Sequence, residues 1–393
     1  VRRYTVHAGD CRDVLRDYPA DHFDSVVSDP PYGLTFMGKG WDRGVPGVEF
    51  WQEALRVAKP GAHLLAFGGT RTFHRLTVAI EDAGWQVRDV VCWLYATGFP
   101  KSHNGPWGGT ALKPAWEPVI VARKPLSGTV ADNVQQYGTG ALNIDGCRVG
   151  SDEVNTHVQP YGYQRSGERW HGRAVETIPH VGRWPANVLH DGSDEVVAGF
   201  PHTTSGTGAI RKSALGMFGL GGDGKANTEY GDTGSAARFF YCAKASRTDR
   251  EEGCDHLPAR KGFEAVERKE GSAGLNSPRA GAGRTISNVR EFGGAQHTAD
   301  VKLAKNFHPT VKPTDLMRYL CRLVTPPNGL VLDPFCGSGS TGKGAVLEGF
   351  RFVGIDLDPA HVAIAEARCQ FAADTVDEQA AAAEAPGAQL SLF

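Results

Sequence analysis

The stretch Gly329-Leu330-Val331-Leu332-Asp333-Pro334-Phe335-Cys336-Gly337-Ser338-Gly339-Ser340-Thr341-Gly342 limits what this chain can fold into more than any other. A short apolar run enters a glycine-rich turn, a helix begins between Lys343 and Leu347, and Phe350 to Asp356 forms a second apolar run ending on a carboxylate. Short apolar runs bounded by turn residues are strands, and two strands joined through a helix make a β-α-β unit. Asp356 follows Gly337 by 19 residues. That spacing lets a carboxylate grip ribose hydroxyls while the glycines admit a ligand close to the backbone.

The residues separate the ligands that could fit this unit. Gly337, Gly339 and Gly342 match the G-x-G-x-x-G dinucleotide pattern, which says little in a chain with 50 glycines. Gly337 to Lys343 also matches the first seven positions of a phosphate loop. The eighth position is Gly344, so the hydroxyl that would bind Mg²⁺ is missing. Asp333-Pro334-Phe335 places a carboxylate ahead of the glycines, where a cationic, amino-acid-bearing cofactor needs one.

A second constellation lies near the N-terminus. Tyr4 to Ala8, Phe23 to Val27, His63 to Phe67 and Val87 to Tyr95 have the composition of strands. Between them, Phe50 to Val57 and Arg71 to Ala83 carry apolar residues at helical spacing. Such alternation predicts a doubly wound α/β sheet. Asp29-Pro30-Pro31-Tyr32 follows the second strand, where proline removes a ladder donor and fixes φ. Asp29 is thereby aimed out of the carboxyl end of the sheet, the edge at which open α/β sheets bind ligands. Its carboxylate can accept one hydrogen of an exocyclic amine and the Pro30 carbonyl the other. Tyr32 offers a stacking face worth roughly 1–3 kcal/mol per base. The competing reading is a Pro-Pro turn after a buried strand, with Asp29 capping nearby amides.

Taken together, Asp29-Pro30-Pro31-Tyr32 and Asp333-Pro334-Phe335-Cys336-Gly337-Ser338-Gly339 resemble the amino-methylating DNA methyltransferases that use S-adenosylmethionine. The catalytic motif precedes the cofactor motif, as in the β group of that family. Gly9-Asp10-Cys11 resembles the motif whose acidic residue meets the cofactor's adenine, and Asp356 the ribose-binding residue. His308-Pro309-Thr310-Val311-Lys312-Pro313 resembles the segment that closes over the methionine end of the cofactor. Glu117 to Lys124 resembles the strand that ends the catalytic half.

The resemblance implies a Rossmann-like methyltransferase fold with a doubly wound mixed sheet, circularly ordered so that the catalytic half comes first. It implies a catalytic half over residues 1–124, a target-recognition insert over 125–300, a cofactor half over 301–371 and a flexible tail over 372–393. The implied catalytic residues are Asp29, Pro30, Pro31 and Tyr32. The implied cofactor residues are Asp10, Cys11, Thr310, Lys312, Asp333, Phe335, Gly337, Gly339 and Asp356, with no metal. The activity implied is methylation of adenine N6 in double-stranded DNA, by base flipping and direct displacement. An acidic residue at the position of Asp29 goes with adenine in the family, whereas Ser28, one place earlier, keeps cytosine N4 open. A nicotinamide oxidoreductase would use the glycine turn but leave Asp29 to Tyr32 without a purpose. A DNA-binding module without catalysis would leave both motifs idle.

Charge and composition bear on partners. The net charge is −2, but basic residues outnumber acidic ones from Arg238 to Arg290, and Lys302, Lys305, Lys312, Arg318 and Arg322 follow. Beside Phe239, Phe240 and Tyr241 this cluster predicts a DNA-facing surface. The glycine-rich middle, Pro125 to Gly234, offers Arg165, Arg169, Trp170 and Arg173 as candidates to read bases, and Arg183 to Leu189 as an ordered element. Gly271 to Gly294 has a flexible composition. No apolar run nears about 18 residues, which argues against a membrane helix, and the first residues lack a secretion signal. The 8 cysteines fall singly, as in reduced cytoplasmic proteins. The spacing of Cys242, Cys254 and His256 fits no standard zinc site.

Beyond a helix expected to end near Phe371, the chain turns acidic and alanine-rich and closes on Gln389-Leu390-Ser391-Leu392-Phe393. These residues resemble the pentapeptide with which bacterial proteins dock on the replication sliding clamp, so that clamp is an implied partner, as is a cognate restriction enzyme. The competing reading folds the terminal segment back onto its own domain.

Overall fold

The computed structural model describes residues 2–34, 44–98, 106–158, 176–204, 233–243, 248–261 and 303–384. Arg165, Arg169, Trp170, Arg173, Lys302, the segment Gly271 to Gly294 and the terminal Gln389 to Phe393 lie outside these described residues.

A nine-stranded sheet organises the fold. Its strands in chain order are β1 (Tyr4–Ala8), β2 (Phe23–Ser28), β3 (Ala58–Phe67), β4 (Gln86–Leu94), β5 (Trp116–Arg123), β6 (Val188–His190), β7 (Tyr241–Cys242), β8 (Leu330–Asp333) and β9 (Arg351–Asp356). Their spatial order is β1-β9-β8-β2-β3-β5-β4-β6-β7. The two ends of the chain therefore interleave: β8 pairs in parallel with β2, Val331 opposite Ser25 and Leu332 opposite Val26, and β1 pairs with β9. β5 runs against both neighbours, and the remaining strand pairs are parallel.

Neighbouring residues along the central strands face opposite layers. Val27, Leu65, Phe67, Val119 and Val121 enter one core, whereas Val26, Leu64, Ala66, Ile120 and Ala122 enter the other. Burial on both faces explains why these strands are apolar without alternation. The second core is closed by α1 (Cys11–Arg16), α2 (Val48–Val57) and α3 (Phe73–Asp82), through Leu15, Trp51 and Leu76. The first is closed by α4 (Thr314–Val324), α5 (Ser340–Leu347) and α6 (Pro359–Glu384), through Leu316, Val346 and Ala365. The result is a three-layer, Rossmann-like fold with a mixed sheet.

Three sequence expectations need correction. α6 does not stop near Phe371 but continues to Glu384, because the alanine, glutamate and glutamine that follow are strong helix formers. The tail expected over 372–393 is thus helical in its first part. The insert expected over 125–300 is not wholly separate from the sheet either: β6 and β7 extend it beyond β4, and Val149–Val158 pairs with Glu176–Arg183 as a separate hairpin. Third, several basic residues of the expected DNA-facing cluster have partners within the fold. Arg318 and Arg322 both bind Glu348 at 2.7 Å, Lys305 binds Asp255 at 2.7 Å, and Arg238 donates to the backbone oxygens of Gly234 and Ser235. Counting charges along a chain omits partners that only folding supplies. No helix among the described residues is long and apolar enough to cross a membrane.

Candidate active site

The side-by-side placement of β2 and β8 brings the two turns that leave their carboxyl ends together. Ser28 donates to Asp333 Oδ1 at 2.5 Å, tying one turn to the other. Between them opens a cavity of about 240 Å³, lined from the N-terminal part by residues including Asp10, Cys11, Asp29, Pro31 and Phe50, and from the C-terminal part by residues including His308, Thr310, Lys312, Asp333, Phe335, Gly337, Asp356 and His361. Pro30 is buried and Tyr32 half-buried, and both adjoin Asp29 and Pro31 at the cavity's edge rather than lining it.

Asp29 is held by a cluster assembled from distant parts of the chain. The Tyr32 hydroxyl lies 2.8 Å from Asp29 Oδ1 and 3.1 Å from Glu117 Oε2. Lys312 Nζ reaches Asp29 Oδ1 at 3.0 Å, Glu117 Oε2 at 2.9 Å and the Tyr32 oxygen at 2.9 Å. Burial alone would pull the Lys312 ammonium down, but the Asp29 and Glu117 carboxylates outweigh it and raise its pKa above the usual lysine range. Burial, reinforced by the same two carboxylates, pushes the Tyr32 hydroxyl well above its ordinary value. Tyr32 is thus a neutral donor. The Asp29 contacts all fall on Oδ1, and no donor among the described residues reaches Oδ2.

The glycine turn divides its labour. Gly337 has φ +51° and faces the cavity, where an added Cβ would come within 2.8 Å of His308 Nε2. Gly339 also has positive φ, +72°, but its Cβ would strike Ala365 Cα at 2.7 Å. It does not line the cavity, and its missing Cβ lets α6 pack closely against the turn. Lys343, which completed the partial phosphate-loop match, points into the interior and pairs with Asp249 at 2.6 Å and Glu252 at 2.5 Å.

Asp356 accepts from the Gly337 amide at 2.9 Å and from the Asp358 amide at 2.9 Å, and meets His361 Nδ1 at 3.2 Å. Burial would raise its pKa, but these bonds prevail and lower it. It is an ionised carboxylate on the cavity wall. Asp10 caps α1 and is gripped by Arg12 through Nε at 3.0 Å and Nη2 at 2.6 Å, so the Arg12 bond holds its pKa below the usual carboxylate value. Cys11 is buried, and burial pushes its thiol up to about 12. Thr310 contributes its carbonyl, 2.5 Å from His308 Nδ1.

Asp333 combines the strongest opposing influences. Burial pushes its carboxyl up to about 7, against the Ser28 and Thr341 hydroxyls and the Phe335 amide, which all donate to it. The folded state therefore retains a proton that an unfolded carboxylate loses near 3.8. Its contribution to stability is complete below that value and is lost as pH rises toward 7, at up to about 1.4 kcal/mol per pH unit. Asp333→Asn is expected to abolish this decline. The stability difference between variant and wild type, from urea melts, should shift in the variant's favour between pH 5 and pH 8.

Sequence reasoning left some wall residues without a role. Desolvation of the half-buried His308 ring, with His361 adding to the effect, lowers its pKa to about 4, so it faces Gly337 as a neutral imidazole. It was visible only as the head of the His308 to Pro313 motif. Arg250 holds that motif in place by donating to the carbonyls of Asn306 at 3.3 Å, His308 at 2.9 Å and Pro309 at 3.2 Å. No linear signal marks it. Glu117 could have been found as a carboxylate at the mouth of the apolar run Pro118 to Ala122.

The interior fits S-adenosylmethionine. Gly337 leaves a cradle that a Cβ would fill, Asp356 presents a carboxylate suited to ribose hydroxyls, and Asp333 can answer a cation. The mixed sheet and its helical layers are those of the Rossmann-like methyltransferase fold. Residues 223–367 match the family model described as DNA methylase, a family of N6-adenine and N4-cytosine methyltransferases to which this stretch of the chain is similar. The chain is 28% identical over 116 residues to the type II methyltransferase M.HindIII of Haemophilus influenzae, an alignment covering 24% of this chain and 38% of that one. It is 34% identical over 74 residues to the DNA adenine methyltransferase YhdJ of Escherichia coli, covering 19% of this chain and 25% of that one. The chain thus spans between a quarter and two fifths of these relatives. Among solved structures it aligns with the cytosine-N4-specific PvuII DNA methyltransferase at 13% identity and a TM-score of 0.46, over 94% of this chain and 86% of that one.

Proposed function

We propose that this chain methylates the exocyclic N6 of adenine in double-stranded DNA, with S-adenosylmethionine as donor. The observation that carries the reading is the shared cavity, which Asp29, Gly337 and Asp356 all line. When bound, S-adenosylmethionine supplies a methyl group already activated on a sulfonium, so the chemistry requires no covalent enzyme intermediate. Asp356, Gly337, His308, Asp333 and Phe335 would hold it.

The chain's own residues work on the amine. Adenine's amino lone pair is delocalised into the ring, which makes it a poor nucleophile. Asp29 Oδ2 takes one amine hydrogen and the Pro30 carbonyl takes the other, favouring a tetrahedral nitrogen with its lone pair localised. Asp29 or water then receives the proton released after methylation. Most of the rate gain comes from alignment. The nucleotide must first leave the duplex, at a cost of a few kcal/mol.

Two observations favour adenine over cytosine. Asp29, the acidic residue that goes with adenine, lines the cavity. Ser28, which kept cytosine open, is fully buried with its hydroxyl committed to Asp333. The similarity to YhdJ, named as an adenine methyltransferase, points the same way. Mass analysis of nucleosides from a strain expressing the chain is expected to show N6-methyladenine. N4-methylcytosine in its place would overturn the choice of base, and the absence of both would overturn the reaction.

A further inference from the structure

We propose that Lys312 and Glu117 are positioning residues for Asp29, fixing one carboxylate oxygen so that the other faces the target amine, and that Lys312 does not hold the cofactor. The inference rests on the reaction proposed above.

An ammonium has three hydrogens to donate. Lys312 Nζ has three oxygen acceptors within 3.0 Å: Asp29 Oδ1, Glu117 Oε2 and the Tyr32 hydroxyl. Its hydrogen-bonding capacity is therefore filled before any ligand arrives. The phenyl ring of Phe67, 4.7 Å from the nitrogen, covers it further. The Lys312 side chain is 8% exposed, Asp29 21% and Glu117 18%.

Each partner has a distinct part. Asp29 alone could rotate and present either oxygen to the cavity. Lys312 and Tyr32 both engage Oδ1, so Oδ2 is the atom left facing a substrate. Glu117 stands on β5, the strand that runs against its neighbours, and supplies a second anchor that keeps Lys312 from following Asp29 into the cavity. Tyr95 adds a weaker contact to Glu117 Oε1 at 3.4 Å. Displacement of a reacting group by about 1 Å can cost 10²-fold in rate, so the pair would act on the saturated rate.

The test uses the full chain, a duplex DNA mixture and radiolabelled S-adenosylmethionine. Two quantities are measured for each variant: the dissociation constant for S-adenosylmethionine and the single-turnover transfer rate at saturation. Lys312→Met is expected to lower the saturated rate by about 100-fold while the dissociation constant stays within about threefold, under 1 kcal/mol. Glu117→Gln should lower the rate by a smaller factor, again without weakening the cofactor. Because Lys312→Met leaves two carboxylates facing each other, the double variant Lys312→Met with Glu117→Gln is measured in parallel. It is expected to melt near the wild type and still lose the rate. A saturated rate equal to wild type, or a loss confined to cofactor affinity, would overturn the proposal. A wild-type chain that methylates no DNA amine would instead overturn the reaction on which it rests.

Discussion

Replacing Asp29 with alanine is expected to lower the single-turnover rate of methyl transfer by about 10³-fold or more, with S-adenosylmethionine affinity nearly intact. The asymmetry follows from geometry. Asp29 shares the cavity with the glycine turn, but its contacts run to Tyr32 and Lys312, which belong to the catalytic cluster. Without Asp29, Lys312 retains Glu117 and the Tyr32 oxygen as acceptors, so the ammonium is not stranded. The amine, by contrast, loses the group that would localise its lone pair. The assay is tritium incorporation into DNA beside a cofactor titration. Activity above a few per cent of wild type would remove Asp29 from the role assigned to it.

The second large effect separates two glycines that look equivalent in the sequence. Gly339→Ala is expected to destabilise the fold by about 3 kcal/mol or more, since it adds left-handed strain to an overpacked contact. The obstructing atom is the Ala365 backbone Cα at 2.7 Å, which cannot move without shifting α6. Gly337→Ala meets the rotatable His308 ring at 2.8 Å instead. Its stability cost should be the backbone strain alone, about 1–2 kcal/mol. The methyl group would intrude into the cavity and weaken S-adenosylmethionine by at least about tenfold, or 1.4 kcal/mol. Thermal melts and calorimetric titration of both variants check the pair. Equal losses of affinity with equal losses of stability would show that the two positions do the same work.

These glycines illustrate where reading a sequence stops. Positive φ and a tight turn are local, so the pattern around Gly337 and Gly339 announced a ligand-binding turn. Which glycine faces the ligand depends on α6, whose Ala365 lies across the turn from Gly339. Lys312 shows the same limit from the other side. Its motif resembled a cofactor clamp, yet its three acceptors are fixed by strands and turns 85 or more residues away from one another in two cases, as with Tyr32 and Glu117. The basic residues Arg318 and Arg322 looked available for DNA until Glu348, beyond the next strand, proved to pair with both.

The sequence by itself determined the alternation of strands and helices, the β-α-β unit over Gly329 to Asp356 and the residue types at both turns. Those features are written in local periodicity, proline and glycine, and need no distant partner. Only the tertiary structure decided that β8 enters the sheet beside β2, that β5 runs backwards between β3 and β4, and that Lys312 turns toward Asp29. The physical reason is that pairing between remote strands is chosen by burial of both sheet faces at once, a property of the assembled layers that no short stretch of chain contains.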